Sequence, residues 1–82
     1  MNKVKLLFFA TLRDRAGSRS MDLEIPMGMT VQGLKEHISQ TQPGLAESMK
    51  SVLITINREY AFDEAVLPEG AELAMFPPVS GG

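Results

Sequence analysis

The chemistry open to this sequence sits in its last seven residues, Phe-Pro-Pro-Val-Ser-Gly-Gly at positions 76 to 82. The chain has no cysteine, which excludes disulfides, thiolate nucleophiles and zinc–thiolate sites. Its one histidine, His37, cannot build a metal site alone, and helical geometry puts it about 90° from the centre of its helix's apolar stripe, on an exposed flank. What remains is the chain end. Gly81 and Gly82 lack a β-carbon, so they form the thinnest peptide available and can thread a narrow channel. Pro77 and Pro78 impose extended geometry on the root of this tail and project it outward. Val79, Ser80, Gly81 and Gly82 then reach about 13 Å from that root, at about 3.3 Å per residue. The group at the tip is an α-carboxylate, ionised at neutral pH. It is inert until its oxygen joins a good leaving group, such as the acyl-adenylate formed with ATP. The activated glycine acyl carbon is then open to attack by sulfur or by a lysine amine. Chance alone ends roughly one chain in 200 on Gly-Gly at about 7% glycine usage. The pair therefore carries weight only with the proline exit and the body that presents it.

That body is small. Its 82 residues make one domain with a slim stability margin, and 44% hydrophobic residues make a globular composition. Ten acids against eight bases, spread along the chain, offer no clustered basic patch for a nucleic acid. No run of about 18 apolar residues and no secretory leader is present, so neither a membrane span nor export is expected, and the cytoplasm is the expected location.

Residues 3 to 12, Lys-Val-Lys-Leu-Leu-Phe-Phe-Ala-Thr-Leu, read as a strand buried on much of both faces. Thr11 to Ser18 read as a turn or one short helical turn ending at Gly17. Met21, Leu23 and Ile25 alternate with Asp22 and Glu24 in a half-buried strand stopped by Pro26. At Thr30, a good N-cap, the period changes: Val31, Leu34 and Ile38 predict a helix that Pro43-Gly44 must end. Gly33 lies off its apolar stripe, with no packing reason in the sequence. Leu45 to Met49 allow another short helical turn. Val52, Ile54 and Ile56 alternate with Leu53, Thr55 and Asn57 in a third strand, followed by a turn at Asn57 to Tyr60. Leu73, Met75 and Phe76 belong to a last strand cut off by Pro77 and Pro78, which cannot donate to a ladder. Strand, strand, helix, strand, irregular stretch and strand imply an α+β fold. A mixed sheet of four to five strands with one helix packed across it is the β-grasp arrangement of ubiquitin. Residues 1–78 form this domain and 79–82 a flexible tail.

Val-Lys-Leu-Leu-Phe-Phe-Ala-Thr-Leu-Arg-Asp-Arg-Ala-Gly at the start, Ile-Asn-Arg-Glu-Tyr in the middle and Glu-Gly-Ala-Glu-Leu-Ala-Met-Phe-Pro-Pro-Val-Ser-Gly-Gly at the end carry a resemblance over nearly the whole chain. The sequence resembles the small, sulfur-carrying subunits of molybdopterin synthase, a branch of the ubiquitin-like sulfur carriers. The resemblance implies that an E1-like adenylyltransferase uses ATP to activate Gly82, and that a sulfur donor protein then converts the acyl-adenylate to a thiocarboxylate. It also implies that the tail enters the active site of the large synthase subunit, in a heterotetramer, and gives its sulfur to cyclic pyranopterin monophosphate. No cofactor or metal is expected on the chain itself, and it is not expected to be an enzyme alone. Carried over residue by residue, Val79, Ser80, Gly81 and Gly82 match the inserted tail. Phe9, Arg13, Tyr60, Phe76, Pro77 and Pro78 match partner-binding positions. Tyr60 stands where relatives often carry an aliphatic residue, and Asp14 and Arg15 depart from the commoner choices after the first strand. The alternatives are a ubiquitin-like modifier conjugated through Gly82, a sulfur carrier for another pathway such as thiamine synthesis, and a plain binding module.

Phe8 and Phe9 are neighbours in a strand and must point to opposite faces, one to the core and one outward. An outward Phe9 is either packed under a loop or part of an exposed docking patch. Of the six methionines, three read more simply as core or gap-filling residues than as part of a binding surface, and the initiator says nothing. Asp63, Glu64, Glu69 and Glu72 read as a solvated face.

Overall fold

A computed structural model describes residues 1–78. Five strands form one mixed sheet: β1 (Asn2–Phe8), β2 (Ser20–Ile25), β3 (Leu53–Ile56), β4 (Glu59–Tyr60) and β5 (Glu72–Phe76). Their order across the sheet is β2-β1-β5-β3-β4, so the first and last strands lie side by side at its centre. They run parallel, and every other pair is antiparallel. The long helix α2 (Val31–Thr41) packs across one face, as the β-grasp arrangement requires. Val31, Leu34 and Ile38 of α2 share one core with Val4, Leu6 and Phe8 of β1, Ile54 of β3, and Leu73 and Met75 of β5.

Local chemistry accounts for the ends of these elements. The Thr30 side chain accepts a hydrogen bond from the Gly33 N–H at 3.1 Å, and the first two helix donors are met from outside. Val31 N–H reaches the Ala65 carbonyl at 2.9 Å and Gln32 N–H the Asp63 carbonyl at 3.0 Å, so the orphan N–H groups of a helix start are satisfied by the 61–67 segment. Lys35 reinforces the same seam, its Nζ lying 2.6 Å from Asp63 Oδ1. Asp63 is thus a structural acid rather than part of a merely solvated face. At the N-terminus the buried Asn2 ties β1 to the turn before β5. Its Nδ2 donates to the carbonyls of Leu67 and Pro68, and its Oδ1 accepts from Gly70 N–H at 2.8 Å.

Five local expectations need revision. The first strand stops at Phe8, four residues short, because Ala10 turns the chain with φ 53° and a helix, α1 (Thr11–Ala16), begins. It ends at Gly17 in the left-handed conformation, with the buried Leu12 holding it to the core. The stretch after α2 holds two 3-10 turns, Pro43–Leu45 and Ser48–Lys50, which bury Leu45 and Met49. The expected Asn57-to-Tyr60 turn is tighter. Asn57 and Arg58 make it with φ of 49° and 74°, and Glu59 and Tyr60 already pair as β4 with Ile56 and Thr55. Gly33 also acquires its packing reason: a β-carbon there would sit 3.0 Å from Met29 Cγ, so the bare helix face makes room for the Met29 side chain. His37 is half-buried on the flank of α2 rather than exposed. Of the methionines, Met49 and Met75 are buried, and Met21 and Met29 pack against the core. Among the described residues no helix is long and apolar enough to cross a membrane.

Candidate functional site

The parallel pairing of β1 with β5 builds the site. Phe8 is in register with Met75, so both strands finish at the same end of the sheet, and the residues that follow this pair, Phe9 and Phe76, are neighbours. Alternation then divides the four side chains. Phe8 and Met75 enter the core, whereas Phe9 is 41% exposed and Phe76 half-buried on the face that carries no helix. The two outward rings stack with centroids 4.6 Å apart and planes 12° from parallel. Such a pair contributes about 1 kcal/mol beyond the area it buries. It also leaves a flat aromatic surface one residue before Pro77.

The register carries this surface across the sheet. Leu7 pairs with Ala74, Ala74 with Thr55, and Thr55 with Tyr60, so one row on the open face crosses β1, β5, β3 and β4. Its middle residues are small: Ala74 and Thr55 are only 8% and 7% exposed, shaded by the larger side chains around them. A groove of about 380 Å³ results, with Leu7, Phe9, Phe76 and Tyr60 around that floor and Arg58 and Glu72 completing the lining. This explains why Thr55, expected on the outer side of β3, counts as buried. A wider depression of about 580 Å³ lies beside α2, but it is lined mainly by polar residues and spanned by the Lys35–Asp63 pair.

Of the residues singled out from the sequence, the structure brings Phe9, Phe76 and Tyr60 into this one groove. Pro77 is half-buried and Pro78 exposed, directly following β5. Arg13 is exposed on α1 and is not among the groove's lining residues. Val79, Ser80, Gly81 and Gly82, with the expectation of a flexible tail, lie outside the described residues. The sequence reading missed Leu7, Thr55, Ala74 and Arg58. The first three follow only from strand register. Arg58 left a signal, since a two-residue hairpin turn with φ positive at both positions favours Asn-Gly, and this one is Asn-Arg.

A family model described as the ThiS family matches residues 6–82. The chain belongs to the ThiS family. Among curated proteins this ThiS-family chain is 35% identical over 80 residues to the molybdopterin synthase sulfur carrier subunit of Arabidopsis thaliana, covering 98% of the chain and 83% of that protein. Among solved structures it resembles small archaeal modifier protein SAMP1 from Haloferax volcanii, with TM-score 0.83, 28% identity, and 99% and 100% of the two chains covered. A Helicobacter pylori complex of subunits 1 and 2 of molybdopterin-converting factor shares the fold, with TM-score 0.69 at 20% identity over 98% of this chain and 99% of that one. The ubiquitin-like β-grasp fold and the resemblance to molybdopterin synthase sulfur carriers, both read from the sequence, are borne out by these relatives.

Proposed function

We propose that this chain is a sulfur carrier subunit of a molybdopterin synthase, with Gly82 as its working group and the Phe9–Phe76 groove as the face that holds its partners. The observation that carries this is the placement of the stacked aromatics at the root of the Pro77-Pro78 exit, in a chain similar over nearly its whole length to such a subunit. A partner seated on the groove takes up the tail without further search, because Gly82 is covalently six residues from Phe76.

The chemistry follows from the carboxylate. An E1-like enzyme joins its oxygen to the α-phosphorus of ATP and releases pyrophosphate. A donated hydrosulfide then displaces AMP at the acyl carbon and leaves a thiocarboxylate. Transfer of that sulfur to cyclic pyranopterin monophosphate in the large subunit, with water returning oxygen to the acyl carbon, restores the carboxylate. Residues 1–78 act as the handle and 79–82 as the arm, so the chain is not an enzyme alone and binds no cofactor itself. The ATP that the cycle consumes fits a cytoplasmic reaction. Intact-mass measurement after incubation with the activating enzyme, ATP and a sulfur donor should show oxygen replaced by sulfur at the C-terminal residue. An unchanged mass, with the adenylation activity itself verified, would falsify the proposal.

The likeness to SAMP1 supports a second reading, in which the same activated Gly82 is captured by a lysine amine and the chain modifies proteins. Higher-mass conjugates on an anti-protein blot would favour it. Their absence from cells with active molybdoenzymes would count against it.

A further inference from the structure

The groove contains one residue that the fold alone would not choose. Arg58 occupies the second position of the β3–β4 turn at φ 74°, where an L-residue is strained and glycine is not. The strain is held in place: Asn57 N–H donates to the Glu72 carbonyl at 2.8 Å, and Asn57 Oδ1 accepts from Glu72 N–H at 3.0 Å. The turn is thereby clamped to the start of β5. Arg58 is exposed, lines the groove with Tyr60 and Phe76, and lies within ion-pair distance of no carboxylate among the described residues. Glu72 shares the groove but contacts the turn through its backbone.

An exposed cation on a clamped turn, with no ion-pair partner among the described residues and an apolar groove beside it, suits partner selection better than stability. Exposed charges at the edge of an interface steer encounter and penalise wrong partners, whereas the buried apolar centre supplies most of the affinity. We infer that Arg58 is a specificity-determining residue, whose guanidinium meets a carboxylate side chain on the large subunit as that subunit closes over the Phe9–Phe76 groove. This rests on the sulfur-carrier reading above. Strained backbone kept at a binding surface is the pattern expected where a side chain is needed at a set position.

Titration calorimetry of the full chain with the purified large subunit tests this with the wild type, Arg58→Gly and Arg58→Glu at low and high salt. Arg58→Gly should fold with a Tm equal to or above that of the wild type, yet bind about fivefold more weakly, the upper end for a solvent-exposed ion pair. Arg58→Glu should bind about fiftyfold more weakly, because it sets like charges together. Both deficits should shrink toward zero at about 1 M salt, where the screening length falls to about 3 Å. Arg58→Gly binding within twofold of the wild type overturns the inference and leaves the carrier reading standing. So does a deficit unchanged by salt, which would mean that Arg58 acts through packing. Failure of the wild type to bind the large subunit overturns the carrier reading, and the inference with it.

Discussion

At the scale of single residues, three non-glycine residues among those described carry unusual backbone: Ala10, Asn57 and Arg58 all have positive φ. Asn57 is at home there, since asparagine tolerates the left-handed region. Ala10 is not. Its φ 53° and ψ −130° fall in territory that glycine enters freely and alanine does not. The distortion has a visible product, for it lets Leu12 N–H reach the Phe9 carbonyl at 3.1 Å and starts α1 directly behind the exposed ring. Ala10→Gly should relieve more strain than it adds in chain entropy and raise stability by about 1 kcal/mol. For a domain of this size that is a Tm increase of roughly 4–8 °C, readable by differential scanning calorimetry. An unchanged or lower Tm would show that the surroundings already absorb the strain.

At the scale of elements, the start of α2 shows how a locally poor choice becomes a good one in context. Glycine costs about 1 kcal/mol in a helix relative to alanine, but a β-carbon on Gly33 would press on Met29 Cγ at 3.0 Å. The segment before the helix needs that space: Met29 accepts a hydrogen bond at its carbonyl from Leu67 N–H at 2.9 Å, and its side chain packs against the core. Gly33→Ala alone should therefore leave stability within about 0.5 kcal/mol of the wild type, the helix gain being offset by displacing Met29. In a Met29→Ala background the same change should stabilise by about 1 kcal/mol, because the obstacle is gone. Urea denaturation of the four proteins gives the coupling directly, and an additive result would remove Met29 from the explanation.

At the scale of the whole molecule, fold and function separate along the chain. Among the described residues the hydrophobic core runs from Val4 to Met75, and the groove's lining from Leu7 to Phe76. The proposed reaction uses only the α-carboxylate of Gly82. One residue added after Gly82 should therefore leave the thermal unfolding curve and binding to the large subunit within error of the wild type, while abolishing thiocarboxylate formation. Activity retained by the extended chain would show that the reactive group lies elsewhere. Loss of folding would show that residues 79–82 belong to the domain.

Most elements of this fold were legible in the sequence because they rest on short-range chemistry, whereas β4, expected as part of a turn, was not. Alternation placed Leu23 and Ile25, Thr30 capped α2, and Pro77 stopped β5, and each of these acts over a few residues. The role proposed for the Gly-Gly tail is argued from equally local chemistry, absent side chains and a terminal carboxylate. The groove was not legible, although Phe9, Tyr60 and Phe76 were singled out one by one. Fifty-one residues separate Phe9 from Tyr60, and only the parallel pairing of the first and last strands, with β3 and β4 in register beside them, sets them around one floor. Thr55 and Ala74 become that floor, and Arg58 comes to line it, through the same long-range hydrogen bonding. The chain end proposed to react and most of the elements are thus properties of local sequence. The groove proposed to offer that end to a partner exists only once distant strands have paired, because a one-residue slip in register would turn Phe9 or Phe76 into the core.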